Sequence, residues 1–228
     1  MKRFYKEATV VDRAILLDGR AVRTPDRRPL SLPTQALARA VAEEWSAQVE
    51  TIDPRAMPLA GLANAAIDKV APDPAAFARP LAAYAQTDLL CYRADTPEVL
   101  AARQAAAWDP VLAWARRRYD VDFAVTAGIV HAPQPDATVV RLSHALAVLD
   151  PFRLTAMSPL VTIGGSLVVA LAVMEGELAP DAAFEITHLD EIWQAERWGE
   201  DPLALKARDA RRADFLAAAR FLALLDAS

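Results

Sequence analysis

The first thirty residues alternate between short β-prone runs and turn residues. YKEATVV and AILL are such runs, and Asp18-Gly19 separates AILL from RAVRT. An Asp-Gly pair between two β-prone runs favours a hairpin, because the tight turn needs positive φ angles. We therefore predict antiparallel strands at the start of the chain.

The segment that follows has the period of a helix. Pro33 suits a first helical turn, and Leu37, Val41 and Trp45 then recur four residues apart. Side chains at this spacing lie on one face of a helix. We predict one helix here, with Trp45 on its apolar face.

The run APDPAAFARP, at residues 71–80, holds three prolines in ten residues and is the best candidate boundary. Beyond it the apolar positions have a helical period in an alanine-rich background. We predict helices near 75–90, 97–119, 136–149, 166–175, 181–198 and 203–225, with an extended piece at VDFAVTAGIV. The predicted fold is α+β: a β-rich N-terminal domain with one helix (1–70) and a larger α-helical bundle domain (71–228).

Composition and charge narrow the class of protein. Of the 228 residues, 54% are apolar and 24% charged, which is typical of a globular chain. Residues 1–60 carry 10 Lys and Arg against 8 Asp and Glu, whereas the remainder carries 15 against 22. Because binding to phosphate backbones needs a basic face, we expect no nucleic-acid partner.

A membrane location needs a separate test. Twenty-one uncharged residues run from Leu154 to Met174, but Pro159 and Gly164-Gly165 divide them. We expect a buried helix from Ser166 to Met174 and no membrane span, with a membrane-anchored scaffold as an alternative.

The N-terminus lacks the apolar core of a secretory signal, and the single Cys91 excludes an intrachain disulfide. We expect a cytoplasmic bacterial protein with Cys91 buried.

The stretch THLDEIWQAERWGED, at residues 187–201, concentrates the candidate chemistry. His188 stands three residues before Glu191, a spacing that can supply two metal ligands from one helix. The chain has only three histidines, so a metal site would need His131 or His144 as well. A metal-dependent hydrolase using His188 and Glu191 is therefore the alternative hypothesis. The sequence has neither a serine-nucleophile motif of the form G-x-S-x-G nor a glycine-rich phosphate-binding motif. We therefore predict no catalytic residue, cofactor or small-molecule ligand.

Projected as one helix, residues 182–198 form two apolar stripes. One consists of Ala182, Ile186, Leu189 and Trp193; the other consists of Phe184, His188, Glu191, Ala195 and Trp198. A helix with two such faces either lies inside a core or presents one face to a partner. Tryptophan beside charged groups is typical of recognition surfaces, and Gly199 suits the position just after the helix. From the residues alone, both interpretations stay open.

Taken together, the motifs of the chain resemble those of a known family. They are KRFYKEATV, LLDGRAVRTP, PLSLPTQALARAVAEEW, MPLAGLANAAID, TDLLCYR, the WDP of Trp108–Pro110, and LDEIWQAERWG. In this order they resemble the F1-ATPase assembly chaperones dedicated to the alpha subunit of ATP synthase. The resemblance spans nearly the whole chain.

This resemblance implies a non-enzymatic chaperone with the two-part fold predicted above. It would bind newly made alpha subunit and shield its interface until it meets beta. Mitochondrial members carry presequences, so a chain beginning at KRFYKEA implies the bacterial cytoplasm. The family's C-terminal pattern falls on Glu191, Trp193, Gln194, Trp198 and Gly199.

The same pattern assigns roles to these positions. The acidic residue is important for activity in the family, and Glu191 matches it, with Glu196 as the competing position. We predict partner contacts at Glu191, Trp198, Gln194, His188, Trp193 and Glu196. Structural roles are implied for Trp45 and Gly199.

Overall fold

The N-terminal part of the computed structural model, which describes residues 1–227, forms a three-stranded antiparallel sheet. Its strands are β1 (Ala8–Val11), β2 (Ala14–Leu17) and β3 (Arg20–Ala21). Asp18 and Gly19 turn between β2 and β3 with φ angles of 46° and 78°. The Asp18 carboxylate also accepts hydrogen bonds from the backbone N–H groups of Lys6 and Glu7, at 3.0 Å and 2.9 Å. The predicted Asp-Gly hairpin is confirmed.

Helix α1 (Gln35–Ser46) begins at Thr34, whose Oγ1 accepts a hydrogen bond from the Leu37 N–H at 3.1 Å. Leu37 and Val41 are fully buried, as is Ile15 on the facing sheet. These apolar positions form the core between sheet and helix. The helical period seen in the sequence therefore marks a buried face.

A second helix, α2 (Pro58–Ala65), continues into a π-helical turn at Ala66–Val70 and was not predicted. The Glu44 carboxylate, projecting from α1, accepts hydrogen bonds from the Leu59 and Ala60 N–H groups at 2.9 Å and 2.8 Å. This carboxylate caps the new helix from 15 residues away in sequence. A local pattern contains no signal for such a cap.

The remainder is mostly helical. It comprises α3 (Pro74–Ala82), α4 (Glu98–Tyr119), α5 (Asp136–Ala147), α6 (Pro151–Gly164), α7 (Leu167–Met174), α8 (Pro180–Thr187), α9 (Leu189–Trp198) and α10 (Pro202–Asp226). Short 3-10 turns lie at Pro54–Ala56, Ala83–Gln86 and Leu89–Cys91. Two short strands, β4 (Tyr92–Arg93) and β5 (Thr126–Ala127), pair in parallel. The α+β class is confirmed.

Two helix predictions need correction, and one further helix was not predicted. The predicted helix at 75–90 ends at Ala82 and continues as 3-10 turns. Helix α6 was not predicted, because Pro159 and the two glycines suggested a break, yet Pro159 lies inside it. The predicted helix at 181–198 is two helices, interrupted at His188.

The uncharged run from Leu154 to Met174 is divided between α6 and α7. Gly165, at φ 65°, separates them, and the Ser166 hydroxyl caps α7. Residues Leu167–Ala172 are fully buried, as the sequence predicted. Within residues 1–227, no helix combines the length and the apolar character needed to cross a membrane.

The chain folds into two compact units. The first contains Met1–Pro74, Asp150–Ala156 and the C-terminal residues from Ala217 onward; the second contains Ala75–Leu149 and Met157–Leu216. Helices α6 and α10 therefore contribute residues to both units. The division at residue 70 stays a prediction.

Candidate partner-binding surface on helix α9

The interruption between α8 and α9 is organised around His188. Its backbone leaves the helical region, at φ −107° and ψ 19°, and its side chain is buried. The ring stacks on Phe184 with centroids 3.8 Å apart, and Nδ1 donates to the Phe184 carbonyl at 3.0 Å. Burial lowers the pKa of His188, which favours the neutral ring.

This interruption changes the two predicted stripes. Phe184 and His188 belong to the interior, so the first half of the stripe assigned to a partner lies in the core. Trp193 is also buried, at 8% exposure. Of the six predicted contacts, His188 and Trp193 therefore face inward and the other four reach the surface.

Three of these four side chains line one cleft between α9 and α10. Glu191, Gln194 and Trp198 form its α9 wall, Arg208 contributes from α10, and the volume is about 230 Å³. The Trp198 side chain is 73% exposed and meets Trp193 edge-on, with ring centroids 5.5 Å apart. The cleft thus places an exposed indole beside charged groups.

Ion pairs hold the carboxylate of this cleft. Arg211 Nη2 donates to Glu191 Oε2 at 2.6 Å, and Arg208 Nη1 lies 4.0 Å from Glu191 Oε1. Arg208 also pairs with Glu200 at 2.9 Å. The Glu191 side chain keeps 34% of its surface exposed. It is therefore both oriented by its partners and open to solvent.

Glu196 lies on the other side of α9. Arg103 of α4 donates to both of its carboxylate oxygens, at 2.5 Å and 3.0 Å. This bidentate hydrogen bonding lowers the pKa of Glu196. Glu196 borders a separate groove against α4 and does not share the cleft of Trp198.

Gly199 ends helix α9. Its N–H donates to the Ala195 carbonyl at 2.9 Å, and its φ angle is 91°. A positive φ of this kind is reached without strain only by glycine. The chain can therefore turn sharply from α9 towards α10 and form the cleft.

Trp45 lies in the other compact unit, half-buried on α1. Tyr5 donates its hydroxyl hydrogen to the Trp45 carbonyl at 2.6 Å, and the two rings meet edge-on with centroids 5.7 Å apart. These contacts connect the N-terminal residues to α1. The Trp45 ring therefore packs against Tyr5, while the structural role implied for Trp45 stays a prediction.

The cationic partners of Glu191 were missed by sequence reasoning. Arg208 and Arg211 lie three residues apart on α10, so they share one face of that helix. This spacing was a usable signal. Which carboxylate they would meet, however, depends on how α10 packs against α9.

The geometry gives no support to the metal alternative. Among residues 1–227, no three or more His, Cys, Asp or Glu side chains are grouped so as to hold a metal ion. The His188 ring is buried and its Nδ1 is engaged by the Phe184 carbonyl. His188 and Glu191 therefore do not form the ligand set that a hydrolase would need.

Comparison with known proteins identifies the family. A family model described as ATP12 chaperone protein matches residues 2–116. The crystal structure of Atp12 from Paracoccus denitrificans is 44% identical to this chain, covers 98% of both chains and superposes with a TM-score of 0.94. The chain belongs to the ATP12 chaperone family.

Two further relatives extend the comparison across bacteria and mitochondria. A solved structure from Agrobacterium tumefaciens is 42% identical, with a TM-score of 0.94 over 98% of this chain and 86% of that one. The mitochondrial protein atp12 of Schizosaccharomyces pombe is 26% identical over 214 residues, which is 87% of this chain and 74% of that protein. As an ATP12 chaperone, this protein is an ATP synthase assembly chaperone. The surface on α9 lies beyond the residues matched by the family model.

Proposed function

We propose that this ATP12 chaperone binds the unassembled alpha subunit of the F1 sector and shields its interface until beta arrives. We further propose that Glu191, Gln194 and Trp198, here called the α9 face, contact alpha. Interfaces that are obligate in the final assembly are large and apolar, so an unassembled subunit exposes surface that aggregates. No catalytic step is part of this proposal.

The exposed indole of Trp198 carries the proposal. Tryptophan is enriched at the energetic centres of protein interfaces, and its burial removes a large apolar area from water. In this chain the ring is 73% exposed at the end of a short helix, beside a cleft that a partner side chain could enter. The exposed part of the ring does not stabilise the free chaperone, whereas its burial against alpha would stabilise the complex.

Glu191 suits a contact that must later be released. Its carboxylate is already paired with Arg211, so a cationic group of alpha would exchange with an existing partner instead of neutralising an isolated charge. Exchange between charged partners contributes less net free energy than burial of apolar area. The carboxylate would therefore orient alpha on the chaperone without making the complex permanent.

The remaining predicted contacts have different proposed roles. We propose that His188 and Trp193 fix the start and inner face of α9, because both side chains are buried. Glu196 is proposed to bind Arg103 of α4 and to leave alpha untouched. Location in the bacterial cytoplasm stays a prediction.

The test compares two charge reversals on the same helix. Glu191→Lys should abolish co-purification with alpha, whereas Glu196→Lys, which also loses an Arg ion pair, should bind alpha like the unmodified protein. Trp198→Ala should weaken the alpha complex by about thirtyfold, corresponding to about 2 kcal/mol for a central interface residue. Circular dichroism establishes that each variant is folded.

Alpha and beta subunits are prepared separately, and the dissociation constant is measured for each. Preference for beta, or binding to neither subunit, would overturn the alpha assignment. Equal effects of the two charge reversals would overturn the assignment of the α9 face. The charge reversal Glu191→Lys places a new cation beside two arginines, so Glu191→Gln serves as a milder variant. It should weaken binding while lowering the free energy of unfolding by no more than about 1 kcal/mol, which is the contribution of a partly exposed ion pair.

A further inference from the structure

The first compact unit contains a cavity of about 620 Å³ whose wall is both aromatic and cationic. Phe4, Tyr5 and Trp45 supply the aromatic part of the wall, and Arg20 and Arg23 supply its positive charge. Every residue that lines the cavity belongs to this one unit. A volume of this size is ordinary for a ligand site.

Contacts within the chain hold the aromatic wall in place. The Tyr5 ring meets Phe4 and Trp45 edge-on, with centroids 5.4 Å and 5.7 Å away. The Arg3 guanidinium lies 4.7 Å from the centroid of the Tyr5 ring, and its Nε donates to the Tyr5 carbonyl at 3.0 Å. Phe4 nevertheless stays 65% exposed. The wall is therefore preformed and still open to a ligand, so binding would order few additional groups.

One hydrogen-bond donor in this wall has no acceptor. Trp45 Nε1 is buried, yet no group within residues 1–227 accepts a hydrogen bond from it. In contrast, Nε1 of the buried Trp108 donates to the Ile186 carbonyl at 2.8 Å. An indole N–H that is removed from water normally finds a partner, because leaving it unpaired is unfavourable. A ligand that brings an oxygen atom to this part of the wall would satisfy the donor.

The positive charge of the cavity is not neutralised by the chain itself. In the described part of the chain neither Arg20 nor Arg23 forms an ion pair, and the Arg23 guanidinium donates to the Arg27 carbonyl, at 2.9 Å. The wall also includes Asp18, whose carboxylate already accepts hydrogen bonds from two backbone N–H groups. Residues 1–28 carry 8 Lys and Arg against 4 Asp and Glu. An anionic ligand would therefore be attracted to this surface.

An unpaired strand edge borders the same cavity. Strand β3 is the last strand of its sheet, and β2 is its neighbour on one side. Val22 and Thr24 donate their N–H groups to carbonyls of neighbouring segments, at 2.8 Å and 3.0 Å. Because hydrogen-bonding directions alternate along a strand, Ala21 and Arg23 direct their N–H and C=O groups to the opposite side. Both residues line the cavity, so an extended peptide could pair with them there.

We propose that this cavity binds an extended, acidic peptide segment that adds to the edge of β3. Carboxylates of the peptide would pair with Arg20 and Arg23, an apolar side chain would enter beside Phe4, and an oxygen atom would accept from Trp45 Nε1. The strand edge favours a peptide over a lipid headgroup, which offers no row of amide groups. This site is separate from the α9 face and does not depend on the proposed contact with alpha.

The first experiment measures binding to the full chain by fluorescence anisotropy. The probe is a labelled peptide of alternating leucine and glutamate, about eight residues long, which is the length of an ordinary strand. Arg20→Glu with Arg23→Glu should weaken its binding by at least about tenfold. The matched control is Arg39→Glu with Arg55→Glu, because these arginines are exposed, lie in the same unit and do not line the cavity. This control should change the affinity by less than about twofold.

A second pair of probes tests addition to the strand edge. One peptide carries N-methyl groups on its leucine amides and the other carries them on its glutamate amides. Alternate amides of a strand face opposite sides, so one of these peptides should lose its affinity and the other should keep it. Equal affinity of the two methylated peptides would overturn addition to β3.

A third experiment observes the unpaired donor directly. The indole N–H signals of the five tryptophans are recorded by ¹H–¹⁵N NMR, and Trp45→Phe identifies the signal of Trp45 by its disappearance. Saturation with the acidic peptide should move the Trp45 signal downfield and leave the signal of Trp198, in the other unit, unchanged. Trp45→Phe should also weaken binding by about fivefold, which is the contribution of one hydrogen bond. A Trp45 signal that does not move on saturation would overturn the site.

The remaining outcomes concern the class of ligand. Failure of the acidic peptide to bind would overturn the proposal, as would equal binding of a peptide with lysine in place of glutamate. Binding of phosphatidylserine vesicles without binding of the acidic peptide would replace the peptide by a membrane surface and overturn it too. None of these results bears on the α9 face, because the affinity for alpha is measured separately.

Discussion

Replacing Asp88 by alanine should strongly destabilise the compact unit that carries the α9 face. Asp88 is fully buried and accepts hydrogen bonds from three residues. Its Oδ1 accepts from the Ser166 hydroxyl at 2.7 Å and the Leu90 N–H at 3.1 Å, and its Oδ2 accepts from the Val168 N–H at 3.0 Å. The carboxylate thus joins a 3-10 turn to the first turn of α7.

The magnitude follows from the donors that would be left behind. Each buried donor without an acceptor costs about 1–3 kcal/mol. The Ser166 hydroxyl can rotate to another acceptor, but the Leu90 and Val168 N–H groups are fixed by the backbone. We therefore expect Asp88→Ala to lower the free energy of unfolding by about 3–5 kcal/mol, including the small cavity that forms.

Guanidinium unfolding followed by tryptophan fluorescence measures this loss. Four of the five tryptophans lie in the same compact unit as Asp88, so the signal reports on that unit. Asp201→Ala is the matched control, because Asp201 lies in the same unit and also accepts from an N–H group at a helix start, but is exposed. Asp201→Ala should lower the free energy of unfolding by about 1 kcal/mol, as the loss of an ordinary helix cap does.

A double-mutant cycle separates the free energy of the hydrogen bond between Asp88 and Ser166 from the contributions of their other hydrogen bonds. The Ser166 hydroxyl also accepts from the Val169 N–H at 3.0 Å, so Ser166→Ala removes a cap and the bond to Asp88 together. The double variant should lose less than the sum of the single variants, by about 1 kcal/mol or more. If Asp88→Ala lowers the free energy of unfolding by no more than Asp201→Ala does, the role assigned to the buried donors is refuted.

Two further predictions concern pH and backbone conformation. Burial raises the pKa of Asp88 from 3.8 to about 6, so the stability that its protonated form contributes is complete below about pH 4 and lost as the pH rises through 6. Asparagine does not titrate, so the stability of Asp88→Asn relative to the unmodified protein should rise by about 2 kcal/mol between pH 4 and pH 7 in unfolding titrations; a flat difference would contradict the shift. Gly199→Ala should cost about 1–3 kcal/mol, because φ is 91° and ψ is 162° while no other atom would crowd the new Cβ. Gly61→Ala, inside α2 and equally uncrowded, is its control and should leave the unfolding free energy unchanged or raise it.

Local sequence signals predicted those parts of the fold that depend on neighbouring residues. The Asp18-Gly19 turn, the buried face of α1 and the apolar helix α7 all follow from period and turn chemistry. Helix α2 could not be predicted in this way. It begins where the Glu44 carboxylate, from the preceding helix, accepts from its first N–H groups.

The same distinction applies to the candidate site. Glu191 and Glu196 are five residues apart, so about 140° separates them around the helix axis and they cannot face one surface. The sequence does not reveal which of them faces the cleft. That choice is made by Arg103, 93 residues away from Glu196, and by Arg211, 20 residues from Glu191. The packing of α4 and α10 against α9 therefore resolves the two positions.

His188 connects the fold to the proposed function. Its spacing to Glu191 suggested a metal site, yet the ring is buried against Phe184 and Nδ1 donates to the Phe184 carbonyl. Because burial lowers the pKa of His188, the ring stays neutral near pH 7 and no charge has to be desolvated. The His188 carbonyl in turn accepts from the Ile192 N–H at 2.9 Å, in the first turn of α9. The direction of α9 is set at this residue, and with it the side of the helix on which Glu191 and Trp198 meet the solvent.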